Sequence, residues 1–187
     1  TPKPSSAASD VYKRQARDEL LHLRAFVKEL SRLFPYLTIV DSNHDALPRR
    51  KARSIGLPDE MLKDERSIIQ APETWTFLQE LVLTLPNGIL CKFKHNYSGN
   101  LYLDSMKQGM SLVCGHLHSK SNINWWQNDH GMNFSMQVGC MIDDPHPAFD
   151  YNKQQSIRPV LTHGMILNGI PLLLPMYCND NEWMGYL

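Results

Sequence analysis

The stretch Val113-Cys114-Gly115-His116-Leu117-His118 decides the reading of this chain. A short apolar run, residues 110–114, meets a glycine and then delivers two histidines two residues apart. On a strand, positions i and i+2 project to one side, so both imidazoles are expected to face one point beyond the strand end. Gly115 is expected to let the backbone turn sharply beneath that point. Two other apolar runs finish the same way. Residues 37–40 lead into Asp41-Ser42-Asn43-His44-Asp45, and residues 89–93 lead into Lys94-His95. Three strands ending in Asn or His are expected to bring ligands to one edge of one sheet.

Between His95 and His116 the pattern is strand, helix, strand. Residues 101–108 read as a short helix with Gly109 as its C-terminal cap. A strand–helix–strand unit makes its two strands parallel. Both ligand-bearing ends then fall at the carboxyl edge, where open α/β sheets place their sites.

Upstream, Leu20, Leu23, Phe26, Val27, Leu30 and Leu33 recur at spacings of three and four, which predicts a helix over 16–33. Phe34-Pro35 ends it, because the residue before proline is pushed out of the helical region. Residues 1–15 are rich in Pro, Ser and Ala and read as a disordered or artefactual segment without chemistry. A basic helix is expected from Asp45 to about residue 55, with Gly56-Leu57-Pro58 breaking it and Pro58-Asp59-Glu60 opening another short helix. Residues 73–81 are expected to be helical, and Pro86-Asn87-Gly88 to turn. Downstream, residues 123–126 and 132–138 read as strands, and residues 139–148 as a loop. Asn168-Gly169 between apolar runs predicts a hairpin. The fold class is α/β with a β-rich C-terminal third.

The chain has 187 residues, enough for one domain with a sizeable core. Nineteen basic residues balance nineteen acidic ones, so no global field draws in nucleic acid. Arg49-Arg50-Lys51-Ala52-Arg53 is a local basic patch, read as a solvated helix face or a phosphate contact. Trp125-Trp126 reads as packing or as a base-stacking platform. The four cysteines stand too far apart for a zinc ribbon or a disulfide framework. They fit a reducing, cytoplasmic setting. No apolar run has the length of a membrane span.

Neutral imidazoles and an amide oxygen suit a transition metal. Two such ions can activate a water and stabilise an in-line phosphoryl displacement. A histidine outside the ligand set can protonate the leaving oxygen. Here the chain resembles the calcineurin-like metallophosphoesterases of phage or bacterial type. Ser42-Asn43-His44-Asp45 is similar to their Gly-Asn-His-Asp/Glu motif, with Ser for Gly. His95 is similar to their lone histidine, and Gly115-His116-Leu117-His118 matches Gly-His-x-His. The order agrees too, and the likeness runs from about Asp18 to the C-terminus.

The resemblance implies a four-layer α/β/β/α sandwich and two divalent ions, Mn, Fe or Zn. It implies that Asn43, His95 and His116 bind one ion and His118 the other. His44 would be the leaving-group acid, oriented by Asp45. The implied activity is hydrolysis of a phosphomonoester or phosphodiester, with nucleotides and nucleic acid among the candidate substrates. The family's Asp-x-His does not occur upstream of Asn43, and Gly-Asp-x-x-Asp is absent. Residues 16–187 are therefore expected to be a partial domain lacking its first strands, with an incomplete site and poor stability alone. The alternative from another class is a non-catalytic binding module with a degenerate metal site, touching nucleic acid through Arg49 to Arg53 and the tryptophans. A third is a structural site for one metal ion.

Overall fold

A computed structural model describes residues 6–43, 46–97, 99–141, 158–179 and 182–186. It is a mixed α/β structure with separate sheets of two, three and five strands. The chain divides into two compact units. One comprises Thr1–Ile39 with His44–Leu78, the other Val40–Asn43 with Gln79–Leu187.

In the first unit, helix α1 runs Ser6–Leu33, starting well before residue 16. Of its expected apolar stripe only Val27 is buried, while Leu23, Phe26 and Leu33 are exposed. Helix α2 is Leu47–Ser54, followed by a 3-10 turn at Asp59–Met61. Helix α3, Glu65–Ile69, starts at Asp64, whose carboxylate accepts from the Ser67 N–H at 2.7 Å. Arg24 Nε donates to the Ile68 carbonyl at 2.8 Å, joining α1 to α3.

Strand β1, Leu37–Val40, pairs with β2, Trp75–Leu78, in a sheet of their own. Two expectations fail here. Residues 73–81 are not helical: Trp75–Leu78 is β2, and Leu81–Thr84 opens β3. Trp75 is almost fully buried, and its Nε1 donates to the Phe34 carbonyl at 2.9 Å. A long-range aromatic anchor thus overrides the local helical pattern. Nor does the strand before Asn43 belong to the sheet that carries His95 and His116.

The second unit is built on the order β3-β4-β5-β7-β6. Its strands are β3 Leu81–Thr84, β4 Leu90–Phe93, β5 Ser111–Cys114, β6 Ser121–Asn128 and β7 Gly131–Val138. β4, β5 and β7 are parallel, while β3 and β6 close the edges antiparallel. Burial follows position. Every residue of β5 is buried, as befits a strand covered on both faces, whereas edge strand β6 has no fully buried residue. Leu85, Cys91, Val113, Phe134 and Met136 form the core cluster.

Helix α4, Leu101–Gln108, makes the expected crossover between parallel β4 and β5. Asn100 caps it, accepting from the Tyr102 and Leu103 N–H groups at 3.0 and 3.3 Å. Gly109 closes it in the left-handed region, φ 68°. At the other end of the sheet, buried Asn133 donates to Asn128 Oδ1 and the Gly131 carbonyl, each at 3.1 Å. Ser111 Oγ donates to Asn133 Oδ1 at 3.4 Å and accepts from the Phe134 N–H at 3.1 Å, tying β5 to β7.

Strands β8 Thr162–Leu167, β9 Ile170–Asn179 and β10 Glu182–Tyr186 form the antiparallel third sheet. Asn168 and Gly169 turn between β8 and β9 with φ 52° and 84°, both positive as a tight hairpin requires. The expected loop of residues 139–148 lies from residue 142 onward outside the described residues. All four cysteines are free thiols, three of them buried. Among the described residues no helix is long and apolar enough to cross a membrane.

Candidate functional site

Parallel pairing aligns Phe93 with Val113, so the chain leaves β4 and β5 at the same edge. His95 comes two residues after Phe93, and His116 two residues after Cys114. Asn43 lies in the same compact unit. Three side-chain atoms converge. His95 Nε2 is 2.9 Å from Asn43 Oδ1, and His116 Nδ1 is 3.1 Å from that same oxygen. The two ring nitrogens are 3.2 Å apart. The rings meet edge-on, at 79° with centroids 5.1 Å apart. All three residues are half-buried.

No arrangement of protons makes hydrogen bonds of all three contacts at once. An amide oxygen only accepts, and each ring nitrogen either carries a proton or a lone pair. If both nitrogens carry protons, both donate to Asn43 Oδ1 and the N···N contact sets donor against donor. If one is bare, it faces the amide oxygen as acceptor against acceptor. If both are bare, all three contacts repel. A cation at the centre would meet three lone pairs instead. Among the described residues, no group of three or more His, Cys, Asp or Glu gathers as a metal site; here the third donor is an amide.

The backbone at His116 departs from expectation. The strand ends at Cys114, so the two-residue alternation of a strand does not govern His116 and His118. The left-handed residue is His116, φ 64°, and not Gly115. The Leu117 N–H donates to the Gly115 carbonyl at 2.7 Å, which makes a γ-turn centred on His116. A γ-turn with positive φ at its centre is rare and strained, and strain of this kind clusters at functional sites. A Cβ on Gly115 would come no closer than 3.8 Å to His95 Nδ1, an ordinary contact.

The Gly115 carbonyl meets two side chains as well. Gln137 Nε2 donates to it, and the Cys114 thiol approaches at 3.4 Å. The same thiol donates to the His95 carbonyl at 3.1 Å. Burial pushes the Cys114 thiol up to about 11, which keeps it a donor near neutral pH. Gln137 was not singled out in the sequence, although an amide near the end of a buried apolar strand is a visible signal.

His118 is half-buried, and its carbonyl accepts from the Val160 N–H at 2.8 Å. His44 and Asp45 lie outside the described residues. A cavity of about 290 Å³ flanks the turn, with Asn96, Tyr97, Leu117, Lys120, Asn122 and Gln137 in its wall. Its lining is rich in amides and includes a lysine and, among the described residues, no carboxylate. The Tyr97 hydroxyl is buried without a partner among the described residues, and burial raises its phenol above the usual range.

In the first unit, Arg49 pairs with Glu65 at 3.6 Å, and Arg53 pairs with Asp59. Arg49 and Arg53 are thus engaged locally. Trp125 lies on edge strand β6, 45 % exposed, with its ring 5.8 Å from that of Phe134. No protein-family model matches the chain, and a search of curated proteins finds no match.

Proposed function

We propose that Asn43, His95 and His116 form one face of a divalent-metal site, and that the chain is part of a metal-dependent phosphoesterase. The observation that carries the reading is the triangle of 2.9, 3.1 and 3.2 Å, in which no protonation state makes all three contacts hydrogen bonds. Ligands about 2.1 Å from one ion are about 3.0 Å apart at right angles and about 3.4 Å apart in a tetrahedron. The three spacings are of that size, so Asn43, His95 and His116 would together hold such an ion. Imidazole with amide oxygen suits Mn, Fe or Zn.

When bound, such an ion supplies charge against a phosphoryl group in transfer and activates the attacking water. The protein's share is to hold the three donors together. The amide- and lysine-lined cavity beside the turn suits the remainder of a phosphate ester, a nucleotide among them. His44, oriented by Asp45, is the proposed leaving-group acid. His118 is the proposed ligand of a second ion. The remaining ligands of that ion would come from a polypeptide segment bearing the two absent motifs. The four-layer sandwich belongs to the same proposal, as does a cytoplasmic setting.

The test is metal content after dialysis against Mn²⁺ or Zn²⁺, with turnover of bis(p-nitrophenyl) phosphate. One ion or more per folded chain, lost in Asn43→Ala and His116→Ala, is expected. A folded chain that retains no ion overturns the reading. One tightly held ion without turnover, even when the missing motifs are supplied, would favour the structural site.

A further inference from the structure

We propose that Gln137, together with Cys114, positions the His116 imidazole by holding the Gly115 carbonyl that closes the γ-turn. The inference rests on the reading of Asn43, His95 and His116 as a metal face. Gln137 is 3 % exposed and sits on β7, opposite Cys114 in parallel register. A buried amide is costly unless its hydrogen-bonding groups find partners. Its Nε2 reaches across to the first carbonyl beyond β5, that of Gly115.

That oxygen is the hinge of the site. It accepts from Leu117 N–H and Gln137 Nε2, and the Cys114 sulfur stands 3.4 Å from it. A carbonyl has two lone pairs, so these donors saturate it. Saturation fixes the plane of the Gly115–His116 peptide, and with it the left-handed φ of 64° from which His116 reaches Asn43 and His95. The Cys114 thiol also reaches the His95 carbonyl at 3.1 Å, so the main chains of both histidines hang from one buried pair. Groups that orient the ligands of a metal commonly change its affinity 10- to 100-fold when removed.

The discriminating variant is Gln137→Met, which keeps length and approximate volume but removes the donor. Two readouts are taken: Co²⁺ titration followed by its visible absorption bands, and hydrogen exchange at the Leu117 amide in the metal-free protein. Co²⁺ affinity is expected to fall about tenfold or more with altered bands. Leu117 should lose protection while Leu112, in the middle of β5, keeps it. Gln127→Ala, exposed at the far end of β6 opposite Met132, should change neither readout. A Gln137→Met protein with unchanged Co²⁺ affinity, bands and Leu117 exchange overturns the proposal. If wild type binds no Co²⁺, the metal reading fails first, and the positioning role falls with it. If Gln137→Met does not fold, Cys114→Ala is measured the same way. It removes the thiol that holds the His95 carbonyl and packs against that of Gly115, and wild-type behaviour in it overturns the proposal equally.

Discussion

Replacing Gly139 by Ala tests how the third sheet is fastened to the site strands. Gly139 follows β7 directly and has φ 69°. A methyl group there would meet Thr162 Oγ1 and stand 2.6 Å from the Val160 carbonyl oxygen. Two bonds would be forced apart: Cys140 N–H to Val160 O at 3.1 Å, and Thr162 Oγ1 to Val138 O at 2.6 Å. The left-handed backbone costs about 1–2 kcal/mol for a residue with a Cβ. Each lost hydrogen bond adds roughly 1 kcal/mol. The sum is about 3–4 kcal/mol, which at a urea slope of about 2 kcal/mol/M lowers the midpoint by roughly 1.5–2 M. Urea titration followed by tryptophan fluorescence measures it. The double variant Gly139→Ala/Thr162→Ala removes the nearer clash, so it should be less destabilised than the two single changes combined. A Gly139→Ala midpoint within about 0.3 M of wild type would refute the reasoning, since it would leave less than about 1 kcal/mol for strain and both bonds. Val160 also donates to the His118 carbonyl at 2.8 Å, so its displacement should reach the Gly-His-x-His turn.

Other outcomes are equally open to measurement. Burial pushes the Cys91 and Cys114 thiols up to about 12 and about 11. Above about pH 9 the unfolded chain loses these protons and the native chain keeps them, so stability should fall from there through pH 11–12; an unchanged urea midpoint between about pH 8 and 10.5 would contradict it. In native protein at neutral pH, half-buried Cys178 should react with a thiol reagent well before buried Cys91 and Cys114; equal rates would contradict the burial. Asn133→Leu should cost about 1–2 kcal/mol in urea unfolding, because it takes from buried Ser111 Oγ the acceptor of its proton and from half-buried Asn128 Oδ1 one of its two donors. Gly169→Ala should destabilise by about 1–2 kcal/mol, because the hairpin turn needs a positive φ there and Asn87 Nδ2 stands 2.5 Å from the added methyl.

Legibility in the sequence followed the range of the interactions. Helix α4 was readable because its cap and its stop, Asn100 and Gly109, are written beside it. The β8–β9 hairpin was readable for the same reason: Asn168-Gly169 forms its turn locally. Strand β2 was missed because its anchor, Trp75 on the Phe34 carbonyl, lies 41 residues away in the chain. The separate pairing of β1 with β2 was missed for a similar reason, since apolar runs do not name their partners. Within the site, Asn43, His95 and His116 were singled out from residue type and position after apolar runs, and the structure brings all three together. How His116 gets there was not legible. Glycine next door invited the assumption that Gly115 makes the turn, whereas hydrogen bonds from Gln137 and Leu117 place the left-handed conformation on the histidine itself.

The spacing of the three donors along the chain has an entropic consequence. His95 lies 52 residues from Asn43, and His116 lies 21 residues from His95. Anything that grips all three at once closes two consecutive lengths of chain, as a pair of disulfides would. On the loop-closure scale such closures are worth about 4 and about 3 kcal/mol taken singly, drawn from the freedom of the unfolded chain. The convergence would then serve as a removable staple, with occupancy setting how much disorder the unfolded chain can regain. Stripping its occupant should loosen the loops between the donors before it disturbs the buried strand β5.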